Sequence, residues 1–110
     1  MIITPTASDK MKYELQKAKN KGRVAEDADI VMRVQILQDE EGKKTLGVGI
    51  DYADFIRDDD DVIALNDIRV VIDKESGKLL EESTLDYYYT DEHKGWGVNK
   101  LTEAKPLEEE

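Results

Sequence analysis

The sequence predicts a mainly β domain, a mixed sandwich or distorted barrel with one N-terminal α-helix. Three observations carry that expectation. Ile30, Met32, Val34 and Ile36 alternate with Val31, Arg33 and Gln35, and Leu46, Val48, Ile50 and Tyr52 alternate with Thr45, Gly47, Gly49 and Asp51. Period-two alternation is the mark of a strand with one buried face. Only one stretch, near the N-terminus, repeats its apolar residues at helical spacing.

That helix comes first among the long elements. Thr4 reads as its N-cap and Pro5 as its first helical residue, while Ala7, Met11, Leu15 and Ala18 share one face. It is predicted to run to about Asn20, where Asn20-Lys21-Gly22 supplies a stop that tolerates left-handed backbone. The two alternating strands follow and should pair as a hairpin through the Gln38 to Lys44 loop. Gly47 and Gly49 fall on the face opposite the apolar set, which suits a packing contact with another sheet or, alternatively, a groove. Asp51 to Asp61 is an acidic connection. Val62–Leu65 and Ile68–Ile72 are short strands around an Asn66-Asp67 turn. Lys74 to Glu82 is polar, with Gly77 expected to break any helix there. Thr84–Tyr89 is a strand, and Trp96 to Asn99 makes a last short one.

At 110 residues and 39% hydrophobic content, one domain spanning 1–110 with a modest core accounts for the whole chain, and 101–110 is expected to extend from it as a flexible tail. The sequence has no apolar run near the ~20 residues of a membrane span and no basic-then-apolar leader, so a soluble protein of the cytoplasm is expected, with no membrane contact. There is no cysteine, which rules out disulfides and zinc-thiolate sites. The formal charge of −10 argues against nucleic acid, whose affinity comes largely from neutralising phosphates with Lys and Arg. It favours solubility first, and a basic partner if the partner is charged.

No acid–base pair, nucleophile elbow or phosphate loop appears, so the protein is not expected to be an enzyme. His93 is the only histidine and lies in a hydrophilic turn; Ser76 and Ser83 carry no nucleophile motif. Asp58 to Asp61 lacks the alternating ligands and the glycine of a calcium loop and reads as a solvated run. Tyr87 and Tyr89 share a face with Tyr88 opposite, among acids that disfavour a base-stacking role. Trp96, between two glycines, is expected to be buried in the sandwich and is the best aromatic for an interface otherwise.

Taken in order, Ile68 to Ser76 with Asp73-Lys74-Glu75-Ser76, then Leu79-Leu80, Leu85-Asp86-Tyr87 and Gly95-Trp96-Gly97-Val98-Asn99 resemble the HesB/IscA-like (A-type iron-sulfur assembly) family. Ile2-Ile3-Thr4 and Asp61-Val62 extend the likeness over roughly the whole domain. The resemblance implies a HesB-like version of the predicted sandwich and a place in iron-sulfur assembly, with a protein of that system as partner. It also exposes departures. Cluster-carrying members place one cysteine in the loop after the first long strand and a Cys-x-Cys pair after the closing Asn-Pro; here all three positions lack cysteine, Trp96 replaces a Phe and Lys100 the Pro. Cluster carriage by the usual thiolates is therefore excluded, and no cofactor is expected. An accessory or interaction role remains. The alternative is a hard, oxygen-rich divalent-metal site from Asp39, Glu40, Glu41, His93 and Glu103, which occupy the regions of the missing cysteines or lie near them.

Overall fold

The structure, a computed structural model, describes residues 1–65, 67–90 and 94–99, without the side chains of Lys94 and Asn99. Along the chain run β1 (Ile2–Ile3), α1 (Pro5–Asn20), β2 (Ile30–Gln38), β3 (Lys44–Tyr52), β4 (Asp61–Leu65), β5 (Ile68–Ile72), α2 (Lys74–Leu79), β6 (Thr84–Tyr89) and β7 (Lys94–Asn99). A single 3₁₀ turn, Ala53–Phe55, follows β3. The described strands make two sheets, ordered β1-β6-β7 and β3-β2-β5-β4, with no closed barrel. The mainly β architecture with one long N-terminal helix is as the sequence predicts. No helix of the described residues is long and apolar enough to cross a membrane.

The larger sheet is mixed. β2 and β3 pair antiparallel from Ile30 opposite Tyr52 to Gln38 opposite Lys44, the expected hairpin. β2 then pairs parallel with β5, Met32 beside Val70 and Val34 beside Ile72. β4 returns antiparallel along β5 with Leu65 opposite Ile68; Asn66 of the predicted turn lies outside the described residues. In the smaller sheet, Ile2 and Ile3 lie parallel to Thr84 and Leu85, and β6 pairs with β7.

Helix α1 begins as its sequence dictates. The Thr4 side chain accepts a hydrogen bond from the Ala7 amide at 3.1 Å, Pro5 needs no amide partner, and the Thr4 hydroxyl donates to Asp86 at 2.6 Å. Ala7, Met11, Leu15 and Ala18 are buried on one face. Ala7, Met11 and Leu15 pack with Met32 and Val34, with Val70 and Ile72, and with Leu80 and Leu85, so the core lies between the two sheets and under α1. Burying side chains of this kind is worth about 1.5–3 kcal/mol each. The helix ends on Gly22 at φ 72°, with the Gly22 amide donating to Lys19 and the Arg23 amide to Ala18. This paired closure turns Arg23 and Val24 back beside the helix end.

Gly77 does not break a helix. α2 forms over Lys74–Leu79 because the Asp73 carboxylate caps the Ser76 amide at 3.1 Å and the Asp73 carbonyl accepts from Gly77 at 2.8 Å. A strong cap at the start outweighs glycine's cost of ~1 kcal/mol. Glycine also suits the packing, since a Cβ there would meet the Asp61 carboxylate at 3.3 Å.

Candidate functional site

β3 and β4 lie at opposite edges of their sheet, so residues 53–60 must cross the face of β2 and β5. Val31 and Val71 on that outer face are fully buried. Arg33 is on the same face and fastens the crossover. Its Nε donates to Asp51 at 2.8 Å, and its guanidinium donates to the Phe55 carbonyl at 3.4 Å and to Asp60 at 3.3 Å. The Asp60 side chain is 1% exposed and also accepts from the Arg57 amide at 2.8 Å. Burial opposes its charge, but the Arg57 amide and the Arg33 guanidinium outweigh burial and hold the carboxyl below its usual range. The expectation that Asp58 to Asp61 is a solvated run thus fails at Asp60. A lone arginine on the outer face of β2 was the only sequence signal for it.

Beside this latch, Gly47 and Gly49 floor a groove of about 350 Å³ with Arg33, Gln35 and Asp51 on its sides. The expected packing contact with another sheet is not made at Gly49, where a Cβ would have nothing within 4 Å, while at Gly47 a Cβ would meet Leu37 and Gln35 of the paired β2 at 3.4 and 3.5 Å.

The loop after β2 is a compact hairpin closure. Asp39 and Lys43 pair through the backbone, the Gly42 amide donates to Asp39, and Gly42 sits at φ 85°. The Asp39 Oδ1 accepts from the Glu41 and Lys43 amides at 2.9 and 2.8 Å. That carboxylate is therefore a turn former. Glu40 and Glu41 are exposed beside it. Among the described residues no group of three or more His, Cys, Asp or Glu is placed to hold a metal ion. His93 and Glu103, the other two residues of the carboxylate alternative, lie outside the described residues, as does the 101–110 tail.

The Asp73-x-x-Ser76 pattern has a structural role here. Parallel pairing of β2 with β5 stops at Val34 and Ile72, and the next core-side amide, Ile36, donates to the Ser76 Oγ at 2.8 Å. Ser76 is 3% exposed, so this hydroxyl extends the ladder where β5 has ended.

A second concavity opens between the end of α1, β3 and β7. It encloses about 400 Å³ and is lined by Ala18, Met32, Val48 and Trp96, with Glu14, Arg23 and Asp51 among its polar walls. Trp96 is half-buried and stands edge-on to Tyr87 at 4.9 Å, which in turn meets Tyr89 at 4.8 Å. The Lys10 ammonium lies 5.0 Å from the Tyr13 ring centre and 4.9 Å from that of Tyr87. It also bonds Glu14 at 2.8 Å. That hydrogen bond, with the further charges of Lys17 and Arg23, lowers the Glu14 pKa against the opposing effect of burial.

No protein-family model matches the sequence, and no curated protein matches it. Solved structures do match its fold. The chain is similar to the crystal structure of IscA with the [2Fe-2S] cluster, at 18% identity and TM-score 0.61, over 89% of this chain and 82% of that one. It is likewise similar to Escherichia coli SufA, described as involved in biosynthesis of iron-sulfur clusters, at 12% identity and TM-score 0.62, over 94% of this chain and 82% of that one. The fold is HesB/IscA-like, in a chain without cysteine.

Proposed function

We propose that this protein is a non-enzymatic accessory or interaction module of iron-sulfur assembly that works without a thiolate-held cluster. One observation supports the reading above the others: a HesB/IscA-like fold is kept by a chain that has no cysteine anywhere in its sequence. Iron-sulfur clusters are held by thiolates, whose softness carboxylates do not reproduce. What remains of the fold is surface: the outer-face groove, the hairpin loop and the cleft beside α1. The Asp73 and Ser76 positions that carry the resemblance serve a helix cap and a strand bond, so they maintain the scaffold. The reading puts the protein's work in the cytoplasm, with a protein of the assembly system as its partner.

Anaerobic reconstitution with iron and sulfide tests this directly. The expected result is no stable visible absorbance after gel filtration, together with recovery of identified iron-sulfur assembly proteins on the tagged chain. A stoichiometric cluster on the purified monomer overturns the reading.

A further inference from the structure

Of the two edges of the larger sheet β3 is the longer, and among the described residues no strand pairs along its outer side. Which of its residues face outward follows from the hairpin. Asp39 bonds across it to Lys43 at one end and Ala53 to Asp29 at the other, while the Ile36 amide turns away to Ser76. Alternation along an antiparallel ladder then directs the amides and carbonyls of Leu46, Val48 and Ile50 away from β2. The register is unbroken from Ile30 opposite Tyr52 to Gln38 opposite Lys44, so no bulge twists this edge away, and no charge or proline lies between Thr45 and Ile50 to blunt it. Both flanks of the edge are open. The cleft beside α1 and the outer-face groove each reach Val48, Gly49, Ile50 and Asp51. Ile50 is 37% exposed and Tyr52 43%.

We propose that β3 pairs antiparallel with β3 of a second copy about a two-fold axis at Val48, which joins the two larger sheets into one. Val48 then lies opposite its counterpart, Leu46 opposite Ile50 and Lys44 opposite Tyr52, so the apolar residues stay on one face and each Lys44 ammonium meets a tyrosine ring. Any other two-fold register leaves part of the strand unpaired. The charge pattern of the strand selects this occupant. It opens at Lys43 and Lys44 and closes at Asp51 and Asp54, and of these only Asp51 makes an ion pair among the described residues, with Arg33. An antiparallel copy brings each basic start to the other's acidic end, whereas a uniformly basic or acidic segment meets like charge at one end. The formal charge of −10 on each copy opposes association. At physiological ionic strength the screening length is about 8 Å, so that opposition is confined to charges near the seam, where the signs alternate. The pairing goes beyond the reading of the chain as an assembly module and does not depend on it.

Because the chain has no cysteine, one introduced thiol reports the register. In Val48→Cys the two sulfurs face each other across the axis with Cα atoms about 5.5 Å apart, within the span of a disulfide. In Thr45→Cys about 20 Å of strand separates them. Sedimentation velocity of the full chain between about 5 and 500 μM should show a monomer–dimer equilibrium. Mild oxidation should link Val48→Cys and leave Thr45→Cys unlinked. Ile50→Lys, which sets a charge on the edge, should weaken association about tenfold. Circular dichroism checks that the variants fold. A chain that stays monomeric throughout overturns the proposal. So does a dimer that links through Thr45→Cys or fails to link through Val48→Cys, since it would use another face. An alternating valine–lysine peptide that binds β3 of a monomeric chain would assign the edge to a different partner, with the same consequence. A cluster reconstituted on the chain removes the module reading and leaves the pairing intact, so the two fail separately.

Discussion

The 39–43 loop enters β3 and the 53–60 crossover leaves it, each with adjacent acids: Asp39, Glu40 and Glu41 in the first, Asp58, Asp59 and Asp60 in the second. In the loop, the Asp39 carboxylate accepts from amides two and four residues on and stays in contact with water. In the crossover, Asp60 is withdrawn from water and set against Arg33, on a strand 27 residues away in sequence. The difference teaches that what an acidic run does depends on what its chain must cross. The loop joins neighbouring strands and needs only a turn. The crossover joins opposite edges of a sheet and has to be fastened to the face between them.

The contrast can be broken most forcefully at Arg33. Arg33→Met should cost about 3 kcal/mol in urea unfolding, because it leaves the Asp60 charge buried without its partner. Arg33→Met with Asp60→Leu should recover much of that loss, since an apolar pair of similar volume carries no such penalty. A single variant as stable as the parent would show the crossover to be held by packing on Val31 and Val71 alone.

An intermediate effect is expected for Ser76→Ala, about 1–2 kcal/mol, from the Ile36 amide left without an acceptor. Its amide should lose protection in hydrogen exchange. At the small end, Asp39→Ala should cost about 0.5–1 kcal/mol and leave the fold intact, because water takes over the exposed amides of the turn. An Asp39 variant as damaging as Arg33→Met would erase the distinction between the two segments.

Acid titration sharpens the same comparison. The Asp60 carboxyl is lower in the folded protein than its ordinary value of 3.8. Its contribution is therefore complete above that value and is lost as pH falls through the lower folded one. Glu14 acts in the same direction from 4.5. Unfolding free energy should decline below about pH 4, and Asp60→Asn should flatten that decline, as followed by urea midpoints across the range.

Local features of this fold were legible in the sequence. Thr4 and Pro5 name the start of α1, Gly22 its end, and alternation gives β2 and β3 and their pairing as a hairpin through the Gln38 to Lys44 loop. The Ile68 to Asn99 pattern pointed to the HesB/IscA-like fold that the solved structures match. What escaped depends on partners distant along the chain. Nothing near Ser76 says that its hydroxyl meets Ile36, and nothing in four adjacent aspartates says which one turns inward. Gly77 misled because a helix propensity near 1 kcal/mol was set against an unseen cap. The cleft was hidden for the same reason, for its walls come from α1, β3 and β7, and Trp96 alone had been singled out.

The parallel pairing of β1 with β6 bears on the order in which a ribosome lets this protein fold. Thr4 hydrogen-bonds Asp86, 82 residues further on. At roughly 5–20 residues per second, on the order of 4–16 s separate the synthesis of those two residues. Once Tyr52 has been made the β2–β3 hairpin is able to form, whereas Ile2 and Ile3 still have no strand to join and α1 lacks Leu80 and Leu85 beneath it. β1 is thus made before the other described strands and is among the last of them to be placed. A nascent chain stalled before β6 would display the apolar side of α1, making that stretch the natural point for a chaperone to engage.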